Sequence, residues 1–137
     1  MDFKDGFNNM DFNKVTELLS KEFWTPGIKK EEVVKGAENS ALLVGCFVDE
    51  TQVSYARVIS DKTRFAYILD VVVDEKHRKK GIGQKMINYI LEHEDMKDVY
   101  QWLLITKDAH EVYKKAGFEV VSRPNDWMEI RKDRPER

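Results

Sequence analysis

The segment that most restricts this chain runs Val71-Val72-Val73, then Asp74-Glu75-Lys76-His77-Arg78-Lys79-Lys80, then Gly81-Ile82-Gly83. An apolar strand passes through a basic turn into a helix that opens on two glycines. A strand that feeds a helix and then a further strand makes a right-handed parallel crossover, so the fold class is α/β with a mixed sheet. Glycine has no Cβ, and a ligand can therefore approach the backbone closely at Gly81 and Gly83. The first amides of a helix lack internal partners and point outward beside the positive end of its dipole. Together these features suit a phosphate or pyrophosphate, with Arg78, Lys79 and Lys80 adding charge at the rim. The spacing is neither Gly-x-x-x-x-Gly-Lys-Ser/Thr nor the three-glycine dinucleotide fingerprint. A basic, solvated turn is the other reading, and the turn alone leaves both open.

The rest of the chain supplies the layers around this turn. Phe12, Val15, Leu18, Leu19 and Phe23 recur at helical spacing, which predicts a helix from Asp11 to about Trp24, stopped by Pro26 and Gly27. Ile28 to Ala37 reads as a second short helix. Ala41 to Val48 and Gln52 to Ser60 read as strands joined by a turn at Asp49-Glu50-Thr51. Arg64 to Val73 is longer and mostly apolar, which places it inside the sheet. The helix from Gly81 to His93 presents Ile82, Met86, Ile87, Ile90 and Leu91 on one face. Val99 to Thr106 is a further strand. Asp108 is expected to cap the next helix, Ala109 to Ala116, with Glu111 at the capping-box position and Gly117 as its left-handed terminator. Phe118 to Ser122 and Trp127 to Arg131 are predicted to pair as two final strands across Pro124 and Asn125.

Composition narrows the class further. The 137 residues are 42% hydrophobic, which fits one globular domain spanning 1–137. The 23 basic side chains are offset by 25 acidic ones, so the basic excess of a nucleic-acid binder is missing. No apolar run approaches the roughly 18 residues that span a bilayer, and the start, Met1-Asp2-Phe3-Lys4-Asp5, is too polar for a secretory leader. A cytoplasmic protein without membrane or nucleic-acid partners is expected. Cys46 cannot form an internal disulfide and reads as a buried structural cysteine. His, Cys, Asp and Glu show no metal-ligand spacing, so no metal is expected.

Two motifs together are more specific than either alone. Arg78-Lys79-Lys80-Gly81-Ile82-Gly83, preceded by Val73, resembles the Gln/Arg-x-x-Gly-x-Gly/Ala signature of the GNAT superfamily of acetyl-CoA-dependent N-acetyltransferases. Ala109 to Phe118 resembles a second element of that family, Ala-x-x-x-Tyr-x-Lys-x-Gly-Phe. The resemblance covers nearly the whole chain and is nearest to a small bacterial subgroup. It implies a mostly antiparallel sheet with helices on both faces, and transfer of acetyl from acetyl-CoA to a primary amine by direct attack. It further implies that the backbone of Val71, Val72 and Val73 pairs with the pantetheine arm. The amides from Arg78, Lys79, Lys80, Gly81, Ile82 and Gly83, with Gln84, are then expected to hold the pyrophosphate. An amide near Val71 would polarise the thioester carbonyl. Tyr113 occupies the place of the general acid for the leaving thiolate, and Phe118 shapes the cofactor side. Thr106 stands where many members carry a pantetheine-binding asparagine. A homodimer is common in the family. The alternative function is a non-catalytic acyl-CoA sensor or subunit of the same fold.

Other candidates rest on the residues alone. Tyr113 lies on the apolar side of its helix, so a core tyrosine is its bland reading beside acid duty. Asp70 interrupts an apolar strand; it either takes a proton from, or attracts, the substrate ammonium, or it is a structural carboxylate with a buried partner. Trp24, Tyr55 and Arg57 are candidate acceptor contacts. The acceptor itself, a small molecule or a peptide amine, is not legible.

Overall fold

The computed structural model describes all 137 residues. Six strands form an open sheet: β1 (Asp2–Asp5), β2 (Leu42–Val48), β3 (Thr51–Gln52), β4 (Ser54–Ser60), β5 (Phe65–Val73) and β6 (Gln101–Leu103). Its order is β1-β2-β4-β5-β6, with β3 paired to β2, and every pairing is antiparallel except β5 with β6. Four helices cover it: α1 (Phe12–Ser20), α2 (Lys30–Glu38), α3 (Ile82–Leu91) and α4 (His110–Lys115). No helix is long and apolar enough to cross a membrane.

The sheet separates two apolar layers, because successive strand residues face opposite sides. Leu43, Phe47 and Tyr55 pack with Val15, Leu18 and Leu19 of α1 and with Val33 and Ala37 of α2. Leu42, Val44, Ala56, Val58, Ala66 and Ile68 pack with Met86, Ile87 and Ile90 of α3. Ala66 and Ile68 thus face α3, yet Val72, also an even position, faces α1 and α2. The parity reverses at a β-bulge. Tyr55 pairs with Val72 and Arg57 with Leu69, so Ala56 opposes both Asp70 and Val71.

Local chemistry sets the helix ends. Asp11 accepts from the Lys14 amide and starts α1. The helix stops at Ser20, short of the expected Trp24, because the Thr25 hydroxyl and the Gly27 amide take the carbonyls of Leu19 and Ser20. Asp108 does not cap α4. The Thr106 hydroxyl accepts from the Ala109 amide at 3.0 Å instead, and the Glu111 side chain closes no capping box. At the other end Gly117, with φ 105°, completes a left-handed terminator: the Phe118 amide returns to Tyr113 O and that of Gly117 to Lys114 O.

The ends of the chain depart furthest from expectation. Asp2–Asp5 forms an edge strand against β2 that its charged sequence conceals. The two final strands do not form. Residues 118–122 and 127–131 pair with nothing, and Pro124–Asp126 is a single 3-10 turn. The amide of Phe118 is spent on the α4 terminator. The tail beyond is drawn across the molecule: Arg134 donates to Phe23 O, and Arg137 grips Glu32 of α2 with two nitrogens, at 3.1 and 2.6 Å.

Candidate active site

The turn between β5 and α3 is a bed of free amides. Arg78 donates its amide to Glu75 O, and the next paired amide of the turn and helix start is that of Lys85, which donates to Gly81 O at 3.0 Å. The amides from Lys79 to Gln84 between them have no acceptor in the protein. Lys79 and Gly81 adopt φ of 64° and 80°, the left-handed region, which curls successive N–H groups toward one side. Nothing lies within 4 Å of where a Cβ would stand on Gly81 or Gly83, so the space above this backbone is open. A pyrophosphate fits these residues through main-chain N–H donors. The Arg78 guanidinium is not at the rim. It turns back to Val73 O at 3.0 Å and to Glu22 at 3.2 Å.

The neighbouring strands leave a cleft. β5 and β6 are paired only from Phe65 to Tyr67 and from Gln101 to Leu103. Beyond that point they separate, and the space of about 430 Å³ between them is lined by Asp70 and Val71 on one side and by Thr106, Ala109 and Tyr113 on the other. The bulge lies at this opening, with Val71 lacking a register partner on β4. Tyr113 is half-buried against Phe118, its hydroxyl bonded to no protein group, and burial raises its pKa above the usual tyrosine value. A phenol keeps its proton at neutral pH, and burial reinforces this.

The sequence matches the family model of the acetyltransferase (GNAT) domain over residues 38–120. The chain belongs to the GNAT acetyltransferase family. A crystallised protein from Xanthomonas campestris pv. campestris, assigned to the same family, is 30% identical, with a TM-score of 0.88; the match covers 96% of this chain and 94% of that one. Two more distant structures share the fold. One is an acetyltransferase assigned in Clostridium acetobutylicum and solved with acetyl-CoA, at 15% identity, TM-score 0.72 and 95% coverage of both chains. The other is an aminoglycoside 6′-acetyltransferase type Ii, at 21% identity and TM-score 0.74, covering 89% of this chain and 85% of that one. No curated protein matches the sequence.

As a GNAT acyltransferase the chain brings some sequence candidates together and leaves others apart. Trp24 lines the same cleft as Asp70, Val71, Thr106 and Tyr113. Tyr55 does not: it is fully buried in the layer under α1 and α2, its hydroxyl unpartnered and its pKa pushed up by burial. Arg57 is occupied, with Nε on Asp70 Oδ2 at 2.6 Å and further donations to Gly36 O and the Ser40 hydroxyl. Asp70 itself has φ 55°, within the bulge. Cys46 is buried on β2, with burial raising its thiol pKa. No group of three or more His, Cys, Asp or Glu side chains is placed to hold a metal ion. Four further lining residues, Phe23, Lys107, Arg131 and Arg134, leave no sign in the sequence. They carry no motif, and only the path of the tail brings the two arginines here.

Proposed function

We propose that the chain, acting as one domain over its 137 residues, transfers an acetyl group from acetyl-CoA to a primary amine by direct attack, with no acyl-enzyme. The observation that carries this reading is the run of unpaired amides from Lys79 to Gln84 beside the open edge of β5. Main-chain donors at a helix start bind a diphosphate without needing a particular side chain. Acetyl-CoA supplies an acetyl group activated as a thioester. Val71 to Val73 offer strand edge to the pantetheine arm, and Thr106 offers a hydroxyl. Tyr113 Oη holds the proton for the departing sulfur, and burial extends that protonated range to higher pH. Asp70 acts by holding the bulge. Its carboxylate is occupied by the Arg57 guanidinium at 2.6 Å, so Asp70 is a positioning residue.

The test uses the purified chain with acetyl-CoA. Calorimetry is expected to show stoichiometric binding, and thiol release to require both the protein and an amine. Binding without amine-dependent release would replace the enzyme with a sensor. Absence of binding would remove the diphosphate site altogether.

A further inference from the structure

The acceptor end of the cleft has a charge character that the cofactor turn does not explain. Phe23, Trp24, Lys107, Arg131 and Arg134 all line the cleft, with Lys107 and Arg134 against Phe23 just beyond α1. None of these three cations lies within 4.0 Å of a carboxylate. Lys107 Nζ sits over the Phe23 ring at 5.4 Å, and Arg134 donates to the Phe23 carbonyl at 3.1 Å. Two acids also line the cleft, Asp70 and Asp108, and Asp70 is already matched by Arg57. This local excess runs against a chain whose net charge is -2. Arg134 is held to Phe23, and Arg137 anchors the end of the tail on Glu32, so the tail is tethered beside the cleft.

Resting on the transfer reading above, we infer that the acceptor is a small primary amine that also carries a carboxylate or phosphate on a compact apolar body. A guanidinium presents a planar fork that matches either oxyanion with two hydrogen bonds. Phe23 and Trp24, edge to face at 5.1 Å between ring centroids, give an apolar body a wall. The same cations repel polyamines and aminoglycosides, whose several ammonium groups meet like charge on entry. The cleft of about 430 Å³ is shared with the pantetheine arm at Val71 and Thr106, which leaves room for a small acceptor only. The phosphates of the donor are served elsewhere, at the Lys79 to Gln84 amides, and none of those residues lines this cleft.

The test follows thiol release from acetyl-CoA with amines in matched pairs, one member bearing the anion and the other lacking it: phenylalanine with phenethylamine, leucine with isoamylamine, phosphoethanolamine with ethanolamine. Spermidine and kanamycin complete the panel. In at least one pair the anionic member is expected to be favoured in kcat/KM by roughly tenfold or more, as charge-assisted hydrogen bonds allow. The double variant Arg131→Gln/Arg134→Gln should erase most of that preference through KM, while the Kd for coenzyme A stays put. The phosphate and carboxylate arms separate the two sources of anion. Preference for spermidine, kanamycin or the partners lacking the anion overturns the inference and leaves acetyl transfer standing. A shift of coenzyme A affinity in the double variant, with acceptor preference intact, assigns the arginines to the donor and also overturns it. No release with any amine, while coenzyme A still binds, removes the transfer reading and this inference together.

Discussion

The two ends of the cleft are built from different materials. The cofactor end is main chain: unpaired amides from Lys79 to Gln84, a free strand edge and a bulge at Asp70 and Val71. The acceptor end is side chain: Trp24 and Phe23 after α1, Lys107 before α4, and Arg131 and Arg134 on a tail without regular structure. A backbone site demands a conformation, and conformation leaves glycines at fixed positions. A side-chain site demands only that certain groups meet, and residues distant in sequence can do so without local trace.

The largest expected effect strikes the backbone end. Gly81 has φ 80° and open space where a Cβ would stand. Gly81→Glu places a carboxylate in that space and should abolish coenzyme A binding by calorimetry. The left-handed backbone costs a non-glycine residue about 1–2 kcal/mol, too little to unfold a typical domain of ~5–15 kcal/mol. Gly81→Ala carries the same backbone cost without the charge and should keep measurable binding. Equal affinity in wild type and Gly81→Glu would mean the diphosphate sits elsewhere.

Where the two ends meet, Tyr113→Phe should lower kcat by roughly 10²–10⁴ and leave acetyl-CoA affinity unchanged. The sign of the pH effect follows from the raised pKa: the phenol stays protonated to higher pH than an ordinary tyrosine at 10.0, so the rate falls only above that value. This alkaline limb should vanish in the phenylalanine variant. A limb that persists unchanged would take Tyr113 out of proton transfer.

Asp70→Asn tests whether the bulge is held or used. The pair with Arg57 is largely shielded, with 12% and 17% of the two side chains exposed. Weakening it should cost about 1–3 kcal/mol, seen as a lower Tm, with a smaller loss of kcat than Tyr113→Phe. An unchanged Tm with a kcat loss as large as that of Tyr113→Phe would instead make Asp70 the proton acceptor.

The same contrast explains what was legible beforehand. Helical periodicity marks α1 and α3, because each buries one apolar face, and the long apolar run marks β5, whose Ala66, Ile68 and Val72 are buried. The Asp70 anomaly was visible in an apolar strand, but its partner was not, since Arg57 is thirteen positions away and its pairing depends on register. β1 was hidden because an edge strand tolerates charge, and its Asp2 and Lys4 carry it. The converse reason accounts for the two final strands, which the sequence predicts and the structure lacks. Alternation in Trp127 to Arg131 describes a face, but a strand needs a neighbour, and the tail finds the loop after α1 and helix α2 instead.

That diverted tail supplies the smallest effect. Arg137 binds Glu32 in a two-pronged contact; the Arg137 side chain is covered, yet half of the Glu32 side chain is exposed, and the solvent there keeps the pair weak. Arg137→Ala should therefore leave Tm nearly unchanged. Its consequence is positional: the end of the tail loses its hold on α2, while Arg134 keeps only the Phe23 carbonyl. Acceptor KM should rise by about two- to fivefold, the scale of one exposed pair, with coenzyme A affinity untouched. A matched rise in the Kd for coenzyme A would show that the tail shapes both ends of the cleft, and the division into a backbone wall and a side-chain wall would fail.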